Sequence, residues 1–312
     1  ALRILWNRVM EAFGVDESTR KLHLHARTGL WNKTVFDPYV NMLRTTTEAF
    51  SAVVGGCDSL HVSPFDEIIR ESGPFSRRIA RNIHAILGEE CGMKQVLDPS
   101  GGSWAVETLT DDMAREAWKN FQDIEAAGGI LDSLEAGTLQ ENISTVRAEK
   151  LKNIQRRKDV IVGTNAYPNA GEKPLPYGDV DYEAARRERI EKLNTWKAGR
   201  DAASVESALE AVSDASGSGR MEALVNAAAA GATLGELQAA LSLGESDAKA
   251  TPLKLHRAAE EFEQLRLAAR ALAQSGKPPL LHQLNMGPSR RYRMRADWTS
   301  SFFQAGGLEV LS

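Results

Sequence analysis

Cysteine is nearly absent: Cys57 and Cys91 are the two in 312 residues. Their number and isolation exclude a disulfide framework or a cysteine-built zinc cluster, and a reducing, cytoplasmic compartment is the simplest expectation. No apolar run approaches the roughly 20 residues that a bilayer span needs, so no transmembrane helix and no membrane partner are expected. Neither sign of charge dominates. Lys and Arg number 38 and Asp and Glu 42, a formal net charge of −4, which argues against a nucleic-acid or anionic-membrane footprint. Gly-x-Gly-x-x-Gly and Walker-type runs are also missing, so dinucleotide and P-loop readings lose their usual support.

What is present is globular. Hydrophobic residues make up 42% and charged residues 26%, and the length suits two domains or one large α/β domain with attachments. Leu2, Leu5, Trp6, Val9 and Phe13 repeat at helical spacing from the first residues onward, and no basic leader with a cleavage site precedes them. Ala1 in place of an initiator methionine, together with a strand-like Leu308-Glu309-Val310-Leu311 at the other end, makes a fragment of a longer chain the expectation.

The first 110 or so residues repeat one theme. Leu22-His23-Leu24-His25 alternates like a strand, and Asp37-Pro38 reads as the cap and first turn of a helix closed by Gly55-Gly56. Ser59-Leu60-His61-Val62 is a second strand, Ser76 reads as the cap of a second helix closed by Gly92, and Gln95-Val96-Leu97 reads as a third strand before Asp98-Pro99. Strands alternating with helices imply a parallel sheet, closed as a barrel or open and doubly wound. From Thr110 the pattern turns helical, with Asp111 and Asp112 expected in a first turn and Gly128-Gly129 as the stop. Val160-Ile161-Val162 looks like an isolated strand, and residues 182–273 are alanine-rich and helical apart from a flexible 213–219 loop. After Gly276-Lys277-Pro278-Pro279 a fresh βαβ unit begins, with a strand at Leu280–Leu284 and a helix from Asp297 to Ala305.

Chemistry-bearing residues are sparse. His23 and His25 share a strand face, but no third ligand accompanies them, so pocket-lining histidines are favoured over a metal pair and no metal site is expected. Asp37 and Asp98, each before proline, read as capping residues. Cys57 has no positioned base nearby and is not expected to act as a nucleophile. Arg290, Arg291, Arg293 and Arg295 could bind phosphate or an acidic partner, or could coat the start of a helix.

Several of these segments, taken together and in order, are more specific. His25-Ala26-Arg27-Thr28 with Trp31, Asp37-Pro38-Tyr39-Val40-Asn41, Leu43-Arg44-Thr45, Ser59-Leu60-His61, Ala80-Arg81-Asn82, Asp98-Pro99-Ser100-Gly101-Gly102-Ser103-Trp104 and Val162-Gly163-Thr164-Asn165-Ala166-Tyr167 resemble the acyl-CoA mutases of the methylmalonyl-CoA mutase family. The resemblance implies an α/β fold. Residues 1–128 would form the C-terminal part of a TIM-type (β/α)8 substrate barrel, residues 129–275 a mainly helical linker, and residues 276–312 the truncated start of a flavodoxin-like cobalamin-binding-type domain. It also implies adenosylcobalamin in the assembly and the interconversion of methylmalonyl-CoA and succinyl-CoA. His25, Arg27 and His61 become candidates for the substrate pocket.

The departures point away from catalysis. Catalytic members carry Gly-His-Thr-Gln-Ser-Leu-His, with the first His and the Gln expected to face the corrin. Here Gly56 and Asp58 hold those two positions. They also carry Lys-Met-Gly-x-Asp-x-His-x-x-Gly, where this chain has Asn285, Ser289, Arg291 and Met294 for the Lys, Asp, His and Gly. Arginine has no lone pair to give a metal. The pattern resembles the small, non-catalytic subunit of heterodimeric mutases. That implies no catalytic residue and no cofactor bound in this chain, a catalytic large subunit as partner, and acyl-CoA bound weakly at most. A catalytic mutase with altered cofactor contacts, or a CoA-binding module without mutase activity, are the competing expectations.

Overall fold

The computed structural model describes residues 1–169, 171–172, 175–176, 178, 181–241 and 249–311. The architecture is helix-rich α/β, in two compact units: residues 1–179 with 250–312, and residues 180–249. Among the described residues no helix is long and apolar enough to cross a membrane.

The first unit opens with α1 (Leu2–Ala12), the helix that its apolar spacing predicts, and a single 3-10 turn at Glu17–Thr19. Strand β1 (His25–Arg27) is followed by α2 (Val40–Val54) and β2 (Ser59–His61). The two strands pair in parallel, with His25 opposite Ser59, Ala26 opposite Leu60 and Arg27 opposite His61. Parallel strands cannot be joined by a tight turn, and α2 is the crossover. The strand expected from Leu22 therefore begins three residues late. Of residues 22–24, Leu24 is joined to β2's approach, its carbonyl accepting the N–H groups of Asp58 and Ser59.

Helix starts differ from expectation in both directions. Tyr39, not Asp37, is the N-cap of α2. Asp37 sits at φ +51°, its carbonyl taking the Val40 N–H, with its carboxylate against Gly163. The next helix, α3 (Pro74–Ala85), starts from Gly73 with Pro74 in the first turn, so Ser76 lies inside it, buried, its hydroxyl donating to the Gly73 carbonyl. Proline in the first turn lacks only an N–H that has no helical partner there. A π-turn, Ile86–Glu90, follows. Ala49, Val62, Ala80, Ile83 and Leu87 form a core, with Val53, Leu60 and Met93 against it.

Gln95–Leu97 does not form the expected strand. No described strand lies alongside to take its backbone groups, and Leu97 is 96% exposed. Helix α4 (Trp104–Ala126) begins at Ser103, well before Thr110, so Asp111 and Asp112 lie mid-helix; α5 (Ile130–Ala136) and α6 (Thr138–Gln155) follow. Val160–Val162 contributes one bridge, Val162 to Ala166, rather than a strand.

The second unit is helical: α7 (Tyr182–Gly199), α8 (Ala202–Asp214), α9 (Gly219–Ala230) and α10 (Leu234–Ala240). Asp181 and Asp201 cap α7 and α8. Val205, Val212 and Ala227 are its buried apolar centre. Arg200 clamps Glu236 through both terminal guanidinium nitrogens, Nη2 and Nη1, at 2.6 and 2.7 Å, holding that carboxyl far below the usual range.

Back in the first unit, α11 (Glu260–Gln274) leads to β3 (Leu280–His282), α12 (Ser289–Ala305) and β4 (Glu309–Leu311), the two strands again parallel. Helix α12 starts eight residues ahead of Asp297, which puts the arginine cluster on the helix itself. Buried Arg266 on α11 donates to the carbonyls of Ala305, Gly163 and Thr164 at 3.0, 2.9 and 2.7 Å, tying α12 and the 163–164 loop to α11.

Candidate functional site

The β1–β2 pair has two unlike faces. Leu60 packs into the core beneath α2 and α3, and Ala26, its register partner, shares that side. The other face carries His25, Arg27, Ser59 and His61. Register partners in a parallel pair point the same way, and His25 Nδ1 lies 2.8 Å from Ser59 Oγ. His23, His25 and Arg27 are all exposed, as the alternation predicts. The three pocket candidates His25, Arg27 and His61 thus share one polar sheet face turned away from the helices. Among the described residues no group of three or more His, Cys, Asp or Glu converges as a metal site.

Beyond the C-terminal ends of these strands the polar groups are knitted together. Arg27 Nη2 meets Glu67 Oε1 at 2.6 Å. Lys33, 3% exposed, reaches Glu48 Oε1 at 2.7 Å and Asn32 Oδ1 at 2.9 Å. Burial pushes the Lys33 amine down, and the Glu48 carboxylate partly offsets that. Asn41, fully buried on α2, donates to the carbonyls of Thr34 and Phe65 and accepts from the Thr34 N–H and from Arg44. Glu48 and Glu67 were not singled out by sequence, because nothing in their local spacing marks them.

Gly56 and Asp58 lie at the opposite, N-terminal end of β2. Here Arg3 of α1 is the residue that sequence reasoning missed. It donates to the carbonyls of Leu22 and Gly56 and to Asp58 Oδ2, at 2.6, 2.7 and 2.7 Å. The same Asp58 oxygen accepts the Leu24 N–H at 2.7 Å. That N–H, and then Arg3, hold the Asp58 carboxyl below its ordinary value. Cys57 between them is half-buried and free. Asp98 begins a tight turn, as its place before Pro99 and Gly101-Gly102 suggests, at φ +47° with the Gly101 N–H on its own carbonyl.

The last group is spread along the β3–α12 segment. Asn285 is in the loop after β3, Gly287 turns the chain at φ +86°, Ser289 is the first residue of α12, and Arg291 and Met294 follow on it. Asn285 lines an open groove of about 740 Å³ with Gln283, Met286, Tyr292 and Arg293. Arg291 and Met294 are not among the residues that line it, and Met294 is 86% exposed. Within the arginine cluster, Arg293 faces Asp297 at 3.8 Å and Arg295 donates to the Arg291 carbonyl, which is ordinary helix-surface pairing. At position 291 a guanidinium offers donors and no acceptor, so this donor set does not fit a cobalt ligand.

A profile of the family described as Methylmalonyl-CoA mutase matches residues 1–245. The chain is 33% identical, over an alignment of 318 residues, to the methylmalonyl-CoA mutase small subunit of Porphyromonas gingivalis, covering 100% of this chain and 41% of that protein. It is 47% identical over 184 residues to the probable methylmalonyl-CoA mutase small subunit of Mycobacterium tuberculosis, covering 57% of this chain and 29% of the relative. With the methylmalonyl-CoA mutase of Escherichia coli it shares 38% over 246 residues, 78% of this chain and 34% of the relative. The chain therefore spans well under half the length of these curated relatives.

Proposed function

The chain belongs to the methylmalonyl-CoA mutase family, and we propose that it serves as part of the small, structural subunit of a heterodimeric mutase. In this reading a catalytic large subunit binds adenosylcobalamin and interconverts methylmalonyl-CoA and succinyl-CoA, while this chain supports it and performs no chemistry itself. The observation that carries the reading is Arg291. It stands where catalytic members place the cobalt-ligating histidine, and it has no lone pair to donate. Asp58 supports the same conclusion from the other surface. Its Oδ2 is already engaged by Arg3 and the Leu24 N–H, and an ionised carboxylate cannot donate the hydrogen bond that glutamine would make.

The architecture proposed with it assigns residues 1–128 to the late part of a (β/α)8 barrel. Helices cover one face of β1–β2, and in this reading the exposed polar face would turn toward the axis of the completed barrel, where the CoA arm would pass. His25, Arg27 and His61 are the side chains that would line that channel, with acyl-CoA held weakly at most. Residues 129–275 form the linker. Residues 276–312, with parallel β3 and β4 joined by α12, begin a flavodoxin-like domain. Nucleic acid and membranes have no part in the reading, and the cytoplasm is the proposed location.

The test is cobalamin stoichiometry. The subunit is co-expressed with a catalytic mutase chain, and bound cofactor is measured by absorbance in the size-exclusion peak. One cobalamin per two-chain complex is expected, and two would overturn the reading. Combining Arg291→His with Ser289→Asp, Asn285→Lys and Met294→Gly is expected to give partial cobalamin binding at most; full turnover in that variant would count against a structural role.

A further inference from the structure

Helix α7 is 18 residues long and has no buried residue. Helices in proteins draw most of their stability from a packed apolar face rather than from propensity. On α7 that face lies open. Arg189, Leu193 and Trp196 follow at intervals of four and three, which puts them on one side of the helix, with Ile190 beside them. Trp196 is 59% exposed, and Leu234 at the start of α10 is 81% exposed. Between α7 and residues 232–235 runs an open groove of about 860 Å³ whose apolar lining is Ile190, Leu193, Trp196 and Leu234. The tryptophan is held rather than free. Its Nε1 donates to the Gly231 carbonyl at 3.3 Å, and the same oxygen accepts from Arg200 Nη1 at 2.8 Å. The ring also borders a second hollow of about 360 Å³, with Thr195, Gly199 and Arg200.

The charged lining is of one sign. Arg189, Lys192 and Lys197 line the groove, and among the described residues that line it there is no carboxylate. Lys192 pairs with Glu188, Lys197 and Arg200 share Glu236, and Arg189 forms no ion pair among the described residues. Four cations thus meet two carboxylates, in a chain whose formal net charge is −4. A fixed, exposed tryptophan among aliphatic side chains is the kind of anchor that interfaces bury. A surplus of positive charge around an apolar floor favours an acidic occupant. The groove follows α7 from residue 189 to 197, about 12 Å or a little over two turns, which matches a helix laid alongside it. We propose that this groove docks an acidic amphipathic helix of a partner protein. The helix sets its apolar stripe against Ile190, Trp196 and Leu234 and its carboxylates toward Arg189, Lys192 and Lys197. The surface lies within the second unit and takes nothing from the mutase reading, so either can fail without the other.

The probe is a hydrocarbon-stapled helix of about 14 residues, four turns long, with leucines along one face and glutamates elsewhere. Its binding to the whole chain is read by fluorescence polarisation of a dye on the peptide. Saturable binding is expected, weakening as salt rises. Two control peptides keep the staple. One has lysine for every glutamate, and the other keeps the composition but scatters the leucines around the helix. Each is expected to bind at least about tenfold more weakly. In the chain, Trp196→Ala removes the anchor. The pair Arg189→Glu and Lys192→Glu reverses charge at exposed positions and leaves the tryptophan in place. Either change is expected to weaken the acidic peptide by about tenfold or more, and the charge reversal to strengthen the lysine peptide. No saturable binding to the unaltered chain, or equal affinity for the acidic and basic peptides, would overturn the proposal. Equal affinity for the striped and scattered peptides would overturn it too, by showing charge attraction alone, as would unchanged affinity in a folded variant. The peptide comparisons use the unaltered chain and decide the matter if a variant fails to fold.

Discussion

Arg3 and Asp58 are 55 positions apart and together fasten α1 to the approach of both β1 and β2. Replacing Asp58 by Asn removes the charge from this clasp while the core under α2 and α3 is untouched. Faster amide hydrogen exchange confined to α1 is the expected outcome, measured by mass spectrometry. The pH dependence follows from the lowered Asp58 carboxyl. Its contribution is complete above the unfolded value of about 3.9 and is lost as pH falls through the lower folded value, so α1 protection is expected to hold near neutrality and fail only in acid. Core residues behave differently. Ile83 is 5% exposed among Ala49, Val62, Ala80 and Leu87, and Ile83→Ala is expected to cost about 2–5 kcal/mol in a denaturation midpoint analysis, from lost burial plus the cavity left behind. Ile83 and Leu87 lie at helical spacing, but that Ala49 of α2 and Val62 would meet them was not legible. Nor was the role of Arg3, since a single arginine in an amphipathic helix carries no sign of which distant carboxylate it will meet.

Among the elements, helices were more legible than strands. The glycine stops at Gly55-Gly56, Gly128-Gly129 and Gly306-Gly307 all mark real helix ends, because a left-handed or otherwise relaxed residue is needed there whatever surrounds it. Strands need a neighbour, and the three-residue ladders of β1 and β2 stop where pairing stops, whereas Gln95–Leu97 finds none. Caps can be tested directly. Asp201 accepts the N–H groups of Ala203 and Ser204 at the start of α8, and Asp201→Ala is expected to lower stability by about 1 kcal/mol, read from urea unfolding. At the end of α12 two adjacent glycines should respond unequally. Gly307 has φ +86°, and a Cβ there would lie 3.0 Å from both Arg266 Cα and Ala269 Cβ, so Gly307→Ala is expected to cost roughly 1–3 kcal/mol. Gly306→Ala, with ordinary φ and contacts, should be close to neutral in the same assay.

For the whole molecule, the proposed supporting role predicts that the purified chain alone, supplied with adenosylcobalamin and methylmalonyl-CoA, forms no succinyl-CoA, as followed by thioester chromatography. Turnover by the isolated chain would contradict that role. The sequence by itself determined the alternation of strand and helix through residue 61, the turn to helix by residue 110, the βαβ unit after residue 279 and the substitutions at Asp58 and Arg291. These follow from neighbouring residues, whose periodicity, turn chemistry and donor inventory act over a few positions of chain. Only the tertiary structure decided that one face of β1–β2 is packed and the other polar, that Arg266 closes onto carbonyls 39 to 103 positions away, and that Arg157 reaches Ser301 and the Phe302 ring on α12. Such pairings depend on which distant backbone groups the folded chain brings within about 3 Å of a donor, and local preference carries no information about that distance.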